Sequence, residues 1–204
     1  MNKHQQKTEL TKRKLLKAAR RIFARDGFEA ARIDNIASEA GFTRGAFYAH
    51  FAAKEDLFFA LLEQQSALHL DKLRELMEAC ASEQDRLEAL RKYYSTRATD
   101  RQWSILVLEF KLFALRHAKL RAKLAEAHRR IRTQMKLASI QRVLPSQLQR
   151  SPESQELRRI VLEAVLNGLV LEHAYDPKGI SEGQVASVLR KLFDTLVQGF
   201  EILS

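Results

Sequence analysis

The stretch Gly41–Phe51, GFTRGAFYAHF, interleaves Phe42, Phe47 and Phe51 with Thr43, Arg44, Gly45, Tyr48 and His50. Hydrogen-bond donors dominate the polar set, and no carboxylate lies among them. An arginine guanidinium presents a planar fork of donors that matches the O6 and N7 acceptors of guanine. Threonine, tyrosine and histidine, together with Lys54 just beyond the stretch, suit phosphate oxygens, contacts that fix register without reading sequence. Gly45 has no side chain and lets one backbone approach another. These residue types describe binding to a polyanion with a readable edge.

Such a set works only if the phenylalanines are held inside and the donors outside, and helical periodicity provides that arrangement. Leu15, Ala19, Ile22 and Phe23 share one face, with Gly27 as the expected stop. Ile33, Ile36, Ala37 and Ala40 repeat at helical spacing, and Gly41 ends that run. Thr43 is a natural N-cap for a very short third helix through Phe51. A fourth helix opens at Lys54-Glu55-Asp56, its acidic residues placed for the N-terminal dipole. Two short helices joined by AGFT make a helix-turn-helix. Phe42, Phe47 and Phe51 then face Ile36, Ala37 and Phe23, and the polar residues are left on the outer edge. In such units the N-terminal residues of the second helix lie nearest the bases of a DNA major groove.

Further along, the spacing predicts helices over 66–80, 83–98, 102–117, 119–143, 154–174 and 182–203, with a loop at PSQLQRSP (145–152). Strand-like alternation bounded by turn residues is absent, so the expected fold class is all-α.

The 204 residues, 46% hydrophobic and 29% charged, suffice for one or two domains and exclude a disordered chain. With Cys80 alone, no intrachain disulfide can form and a cysteine-based metal site is disfavoured. The N-terminal MNKHQQKTELTKRK lacks the apolar core of a secretory signal, and the apolar runs are too short to span a bilayer. A cytoplasmic chain without a membrane partner is the expectation. The net charge of +10 is concentrated: residues 1–25 carry nine Lys/Arg against one Glu, and residues 116–144 carry the same. Two basic blocks on a near-neutral body fit polyanion contact, or a solvated helix face.

The run Leu15–Leu57 resembles the N-terminal DNA-binding domain of TetR-family repressors. The matching residues are Ala18, Ala19 and Phe23, then Gly27 and Phe28, Ile36 and Ala37, and Ala40 and Gly41. Thr43, Tyr48, His50, Phe51, Lys54 and Glu55 complete them. The resemblance covers roughly the first third of the chain. Arg32 stands where the family usually has Ser or Thr, and Ala53 where a Ser or Asn commonly caps the fourth helix. What the resemblance implies is a DNA-binding domain over 9–69, with the helix-turn-helix at about 32–51, and a helical ligand-binding and dimerisation domain over 70–204. It further implies a homodimeric repressor on a near-palindromic double-stranded operator, released by a small, largely apolar effector and needing no cofactor or metal. Arg32, Thr43, Arg44, Gly45, Tyr48, His50 and Lys54 would make the DNA contacts, with Arg32 reaching a phosphate or base edge or remaining a solvent-exposed charge.

In the C-terminal part, WSILVLEFKLFALRH (103–117) is nearly continuous in apolar residues and is expected to be buried on most sides. Glu109 interrupts it. An unpaired buried carboxylate is costly, so it serves either a ligand's polar group or a structural pair with an arginine such as Arg116. Trp103, Phe110 and Phe113 are core residues by spacing and line an effector pocket only through the family resemblance. Wide apolar faces mark the last two helices. Leu157, Ile160, Val161, Ala164, Gly168 and Leu171 line one; Val185, Val188, Leu189, Leu192, Leu196 and Phe200 line the other. They suit a four-helix bundle between two subunits, packing within one subunit, or both. The basic helix 119–136 reads as a solvated face.

An enzyme finds little support: six histidines and one cysteine form no His-Glu-x-x-His and no Glu-x-x-His pair, and no Gly-rich phosphate loop is present. The better rival is a helical small-molecule or lipid-binding protein without DNA function. Such a carrier has no use for Arg44 and Tyr48 on an exposed edge beside a basic arm. An RNA-binding module would expose aromatic stacking platforms, whereas these phenylalanines sit at core spacing.

Overall fold

A computed structural model of the chain describes residues 2–96, 100–134 and 152–198. These residues form α1 (Lys3–Ala30), α2 (Ile33–Glu39), α3 (Arg44–Tyr48), α4 (Lys54–Glu78), α5 (Glu83–Thr96), α6 (Arg101–Arg116), α7 (Ala118–Gln134), α8 (Pro152–Tyr175) and α9 (Glu182–Gln198). No strand occurs among them, and the all-α expectation holds. Among the described residues, no helix is long and apolar enough to cross a membrane. The fourth helix expected to open at Lys54 and the helix expected over 66–80 are one continuous α4, since neither Gly nor Pro interrupts Lys54–Glu78. Pro152 opens α8, at the helix start where its missing N–H costs nothing. The rest of the predicted loop, the stretch 135–143 of the helix expected at 119–143, and Phe200 lie outside the described residues.

The chain divides into two compact units, Met1–Leu68 with Leu106–Met135, and His69–Ile105 with Lys136–Ser204. Residues 106–135 thus group with the N-terminal helices.

In the first unit α1 packs on α2, and α2 on α3. The buried side chains are those that helical spacing selects: Leu15, Ala19, Ile22 and Phe23 of α1, Ile36 and Ala37 of α2, Phe47 of α3, and Leu57, Phe58 and Leu61 of α4. Phe23, Phe28, Phe47 and Phe58 are under 2% exposed, and each stabilises the fold by roughly 1.5–3 kcal/mol. Phe28 is the hub. Its ring centroid lies 5.4 Å from Phe23, 5.3 Å from Phe58, 4.9 Å from Phe110 and 5.0 Å from Phe113. Phe110 in turn stacks on Phe58 at 4.1 Å.

Gly27 makes the hub reachable. Its φ of 77° and ψ of 166° break α1 in a region of backbone space essentially reserved for glycine. The chain swings through one further turn, closed by the Ala31 N–H on the Gly27 carbonyl at 3.3 Å.

The second unit is built on α5 against α9 and α8 against α9. Leu73, Met77, Leu90 and Phe193 form one core cluster, and Leu166, Val170, Val185 and Leu189 another. Arg91 of α5 donates to Asp194 of α9 at 2.7 Å. Reciprocal capping boxes start two helices. Ser82 and Asp85 exchange bonds of 3.1 Å at α5, and Ser181 and Gln184 exchange bonds of 2.8 and 3.3 Å at α9.

Candidate nucleic-acid interface

The turn between α2 and α3 is fixed by backbone bonds. The Phe42 N–H donates to the Ala37 carbonyl at 2.8 Å and the Gly41 N–H to the Ser38 carbonyl at 2.9 Å, the pattern of a Schellman motif. It needs a left-handed residue after the helix, and Gly41 supplies it with φ 77°. Thr43 follows in extended conformation, and its hydroxyl accepts the Ala46 N–H at 3.2 Å, making it the N-cap that the sequence indicates.

This geometry sorts α3 into two faces. Phe47 is fully buried and Phe51 nearly so, while Arg44, Gly45 and Tyr48 are exposed and His50 is half-buried. Phe42 is half-buried, with the Lys14 ammonium 5.8 Å from its ring. Nothing in the fold requires glycine at 45: a Cβ there would meet only Thr43 Oγ1, at 3.8 Å. Arg32 is exposed at the extended N-cap of α2 and makes no side-chain bond to the helix start.

Arg44 is held on both sides. Nη1 donates to Asp34 Oδ2 at 3.2 Å, Nη2 donates to the Tyr48 hydroxyl at 3.4 Å, and the guanidinium lies 5.6 Å from the Tyr48 ring. The Tyr48 hydroxyl, and after it the Asp34 carboxylate, raise its pKa above the ordinary arginine value. The sequence reading missed Asp34. A carboxylate in the first turn of α2 reads as a helix-dipole partner, and its reach to α3 depends on the turn between the helices.

Lys54 makes contacts beyond the expectation. Its ammonium donates to the carbonyls of Glu29 at 2.8 Å and Ala31 at 3.0 Å and lies 4.8 Å from the Phe28 ring. Burial holds its pKa below the ordinary lysine value, against the opposing pull of Glu55 and Glu29. The group closes the turn after Gly27, a structural role in addition to the phosphate contact expected for it.

Glu109 does not form the expected pair with Arg116. Its Oε2 accepts the backbone N–H of Phe28 at 3.0 Å, while Arg116 instead approaches Glu29 at 4.0 Å. Phe110 is buried and Phe113 half-buried, both packed on Phe28, so they are core residues of the first unit. Trp103 belongs to the second unit, half-buried in the first turn of α6, where its backbone N–H donates to Asp100 Oδ1 at 3.3 Å.

Of the expected interface residues, Val185, Leu189 and Leu196 are buried within the chain, and Val161 and Leu192 are half-buried. Leu157 and Gly168 are exposed, and they belong to a stripe. Leu157, Ile160, Ala164, Gly168, Leu171 and Tyr175 recur every three or four residues along α8, and all six are exposed. A Cβ at Gly168 would meet nothing within 4 Å.

Residues 15–61 match the family described as bacterial regulatory proteins, tetR family. Residues 82–198 match the C-terminal region of BetI-type transcriptional repressors. The chain is 35% identical over 89 residues to the uncharacterized HTH-type transcriptional regulator YerO of Bacillus subtilis, a match over 44% of this chain and 30% of that protein. It is 42% identical over 62 residues to the HTH-type transcriptional repressor AcnR of Corynebacterium diphtheriae, over 29% of this chain and 33% of that one. The chain thus spans about a third of the length of these relatives. Among solved structures, the fatty acid degradation regulator FadR of Bacillus halodurans aligns with a TM-score of 0.63 at 20% identity, over 93% of this chain and 96% of that one. FadR of Bacillus subtilis, solved with stearoyl-CoA, aligns at 0.55 and 18% identity, over 92% and 98%. A regulator of Saccharomonospora viridis solved with choline aligns at 0.63 and 23% identity, over 90% and 95%. At these identities the structures share the fold.

Proposed function

The chain belongs to the TetR family of bacterial regulatory proteins, and on that premise we propose a repressor that binds a near-palindromic operator as a homodimer and leaves it when a small, largely apolar effector binds. Its relatives are DNA-binding transcriptional regulators, not enzymes. One observation carries the DNA reading. A five-residue α3, capped by Thr43 and anchored by buried Phe47, turns Arg44, Gly45 and Tyr48 outward together. Arg44 reads a guanine edge through its donor fork, and Gly45 leaves room for the backbone to come close. Thr43, Tyr48, His50 and Arg32 hold phosphates and set the register. Lys54 acts behind them by closing the turn that carries Phe28.

The homodimer is supported by the exposed apolar stripe of α8, whose small residues Ala164 and Gly168 at its centre suit close approach of a second copy. Responsiveness to a ligand is supported by the neighbours solved with stearoyl-CoA and with choline. The apolar character of the effector is carried over from the family resemblance and the neighbour solved with stearoyl-CoA. A tenfold loss of operator affinity requires only about 1.4 kcal/mol of coupling between the two sites.

Selection from a pool of random duplexes tests the reading directly. The expected outcome is an enriched site with two-fold symmetry, whose half-sites lie about one helical turn apart or a multiple of it. A pool that yields no enriched sequence refutes DNA recognition and leaves the small-molecule carrier as the standing alternative.

A further inference from the structure

Base reading by Arg44 does not by itself account for the carboxylate at its side. Asp34 meets the guanidinium at 3.2 Å through Oδ2 and 3.5 Å through Oδ1, with the two side chains 46% and 60% exposed respectively. Ion pairs this open to water stabilise a fold weakly, so its contribution to stability is small. The pair instead ties the first helix of the motif to the second, and it brackets the guanidinium between Asp34 and Tyr48.

We propose that Asp34 is a specificity-determining residue of the DNA-reading face, restraining Arg44 and rejecting duplexes that set an acceptor against the pair. The proposal rests on the assignment of Arg44 to base reading. Three physical effects combine. A guanidinium neutralised by a neighbouring carboxylate is attracted less to phosphates at large, the attraction that drives binding to any sequence. Held between two partners, it still has unused N–H groups of its five, and these point where the pair directs them. The carboxylate itself accepts only. It repels phosphate oxygens, guanine O6 and N7, and thymine O4, and tolerates the exocyclic amines of cytosine or adenine. Specificity is a difference of affinities, and a group that acts against wrong sites raises it without strengthening the right one.

The test uses the full chain with Asp34→Asn, Asp34→Ser, Arg44→Ala and the double variant Asp34→Asn/Arg44→Ala. Binding to the selected operator and to a scrambled duplex of equal length is followed by fluorescence anisotropy across a salt series, with circular dichroism as the folding control. Both Asp34 variants should bind the scrambled duplex more tightly, with a log–log salt slope steeper by about one. The ratio of operator to scrambled affinity should fall about tenfold. In the Arg44→Ala background, Asp34→Asn should lower that ratio by less than in the wild type, since only the carboxylate's own rejection of acceptors remains to be lost. If Arg44→Ala lowers the ratio and both folded Asp34 variants leave it unchanged, the proposal is overturned while base reading by Arg44 stands. If Arg44→Ala leaves it unchanged as well, base reading by Arg44 fails and the proposal falls with it.

Discussion

The Glu109 carboxylate accepts the backbone N–H of Phe28 across 3.0 Å, joining residues 81 apart in the chain. Gly27 has just broken α1, so Phe28 opens a further turn, and the carboxylate takes its N–H. At the other end of that turn the Lys54 ammonium takes the Glu29 and Ala31 carbonyls. An anion at the N-terminal end and a cation at the C-terminal end both complement the turn's dipole. The carboxylate that interrupts the apolar run of α6 is therefore a structural acceptor, and the turn it caps holds the aromatic hub in place.

Removing the acceptor should destabilise the protein. Glu109→Ala leaves the Phe28 N–H without its partner in a partly buried place, at a cost of about 1–3 kcal/mol. Glu109→Gln keeps a side-chain carbonyl in reach and should cost no more than about 1 kcal/mol. Urea denaturation of the two variants distinguishes them; equal losses would show that the bond contributes nothing measurable.

The glycines should rank by their surroundings. Gly27→Ala forces an alanine into a glycine-only conformation and sets its Cβ 3.0 Å from Glu109 Oε2. A loss of about 1–3 kcal/mol is expected. At Gly41 the backbone strain remains but no atom lies within 4 Å of an added Cβ, so a smaller loss, about 1 kcal/mol, is expected. Gly45→Ala should leave stability nearly unchanged and weaken operator binding. Thermal melts give the order, and a Gly27 variant no worse than the Gly41 variant would contradict the crowding.

Lys54 should leave a signature at high pH. Because burial depresses its folded-state pKa, the unfolded chain binds more protons between that value and the ordinary lysine value. Folding is then favoured as pH rises through this window, so the penalty on the charged form is present below it and relieved above. The stability of the wild type relative to Lys54→Met should therefore grow as pH climbs toward about 10.4. Paired urea titrations along that range provide the measurement, and a difference flat in pH would contradict the assignment. Lys54→Met should also reduce binding to operator and scrambled duplex equally, by destabilising the domain.

Charge placed on the two faces of the last helices should separate association from folding. Leu171→Glu and Val188→Glu change exposed positions and should produce helical monomers with weakened operator binding. Leu189→Glu buries a carboxylate in a site that is fully enclosed within the chain, and should unfold it at a cost of several kcal/mol. Sedimentation with circular dichroism reads both. Dimers that persist with Leu171→Glu and Val188→Glu would move the interface elsewhere.

Much of the reading face is legible in the sequence because its bonds are local. Thr43 caps a residue three positions away, and Gly41 closes a motif that spans Ala37 to Phe42. Phe47 is buried by the same spacing that turns Arg44 and Tyr48 outward. Residue identity and helical period suffice for such features, since the partners are held together by a few covalent steps. The tertiary structure alone decided that Glu109 meets Phe28, that Lys54 is spent on Glu29 and Ala31, and that Asp34 flanks Arg44. It also chose which part of the wide apolar face of α9 is enclosed, burying Val185 and Leu189 and leaving Val188 exposed. Periodicity states that a face is apolar; which residues across the chain arrive against it depends on how the helices cross, and no local pattern carries that information.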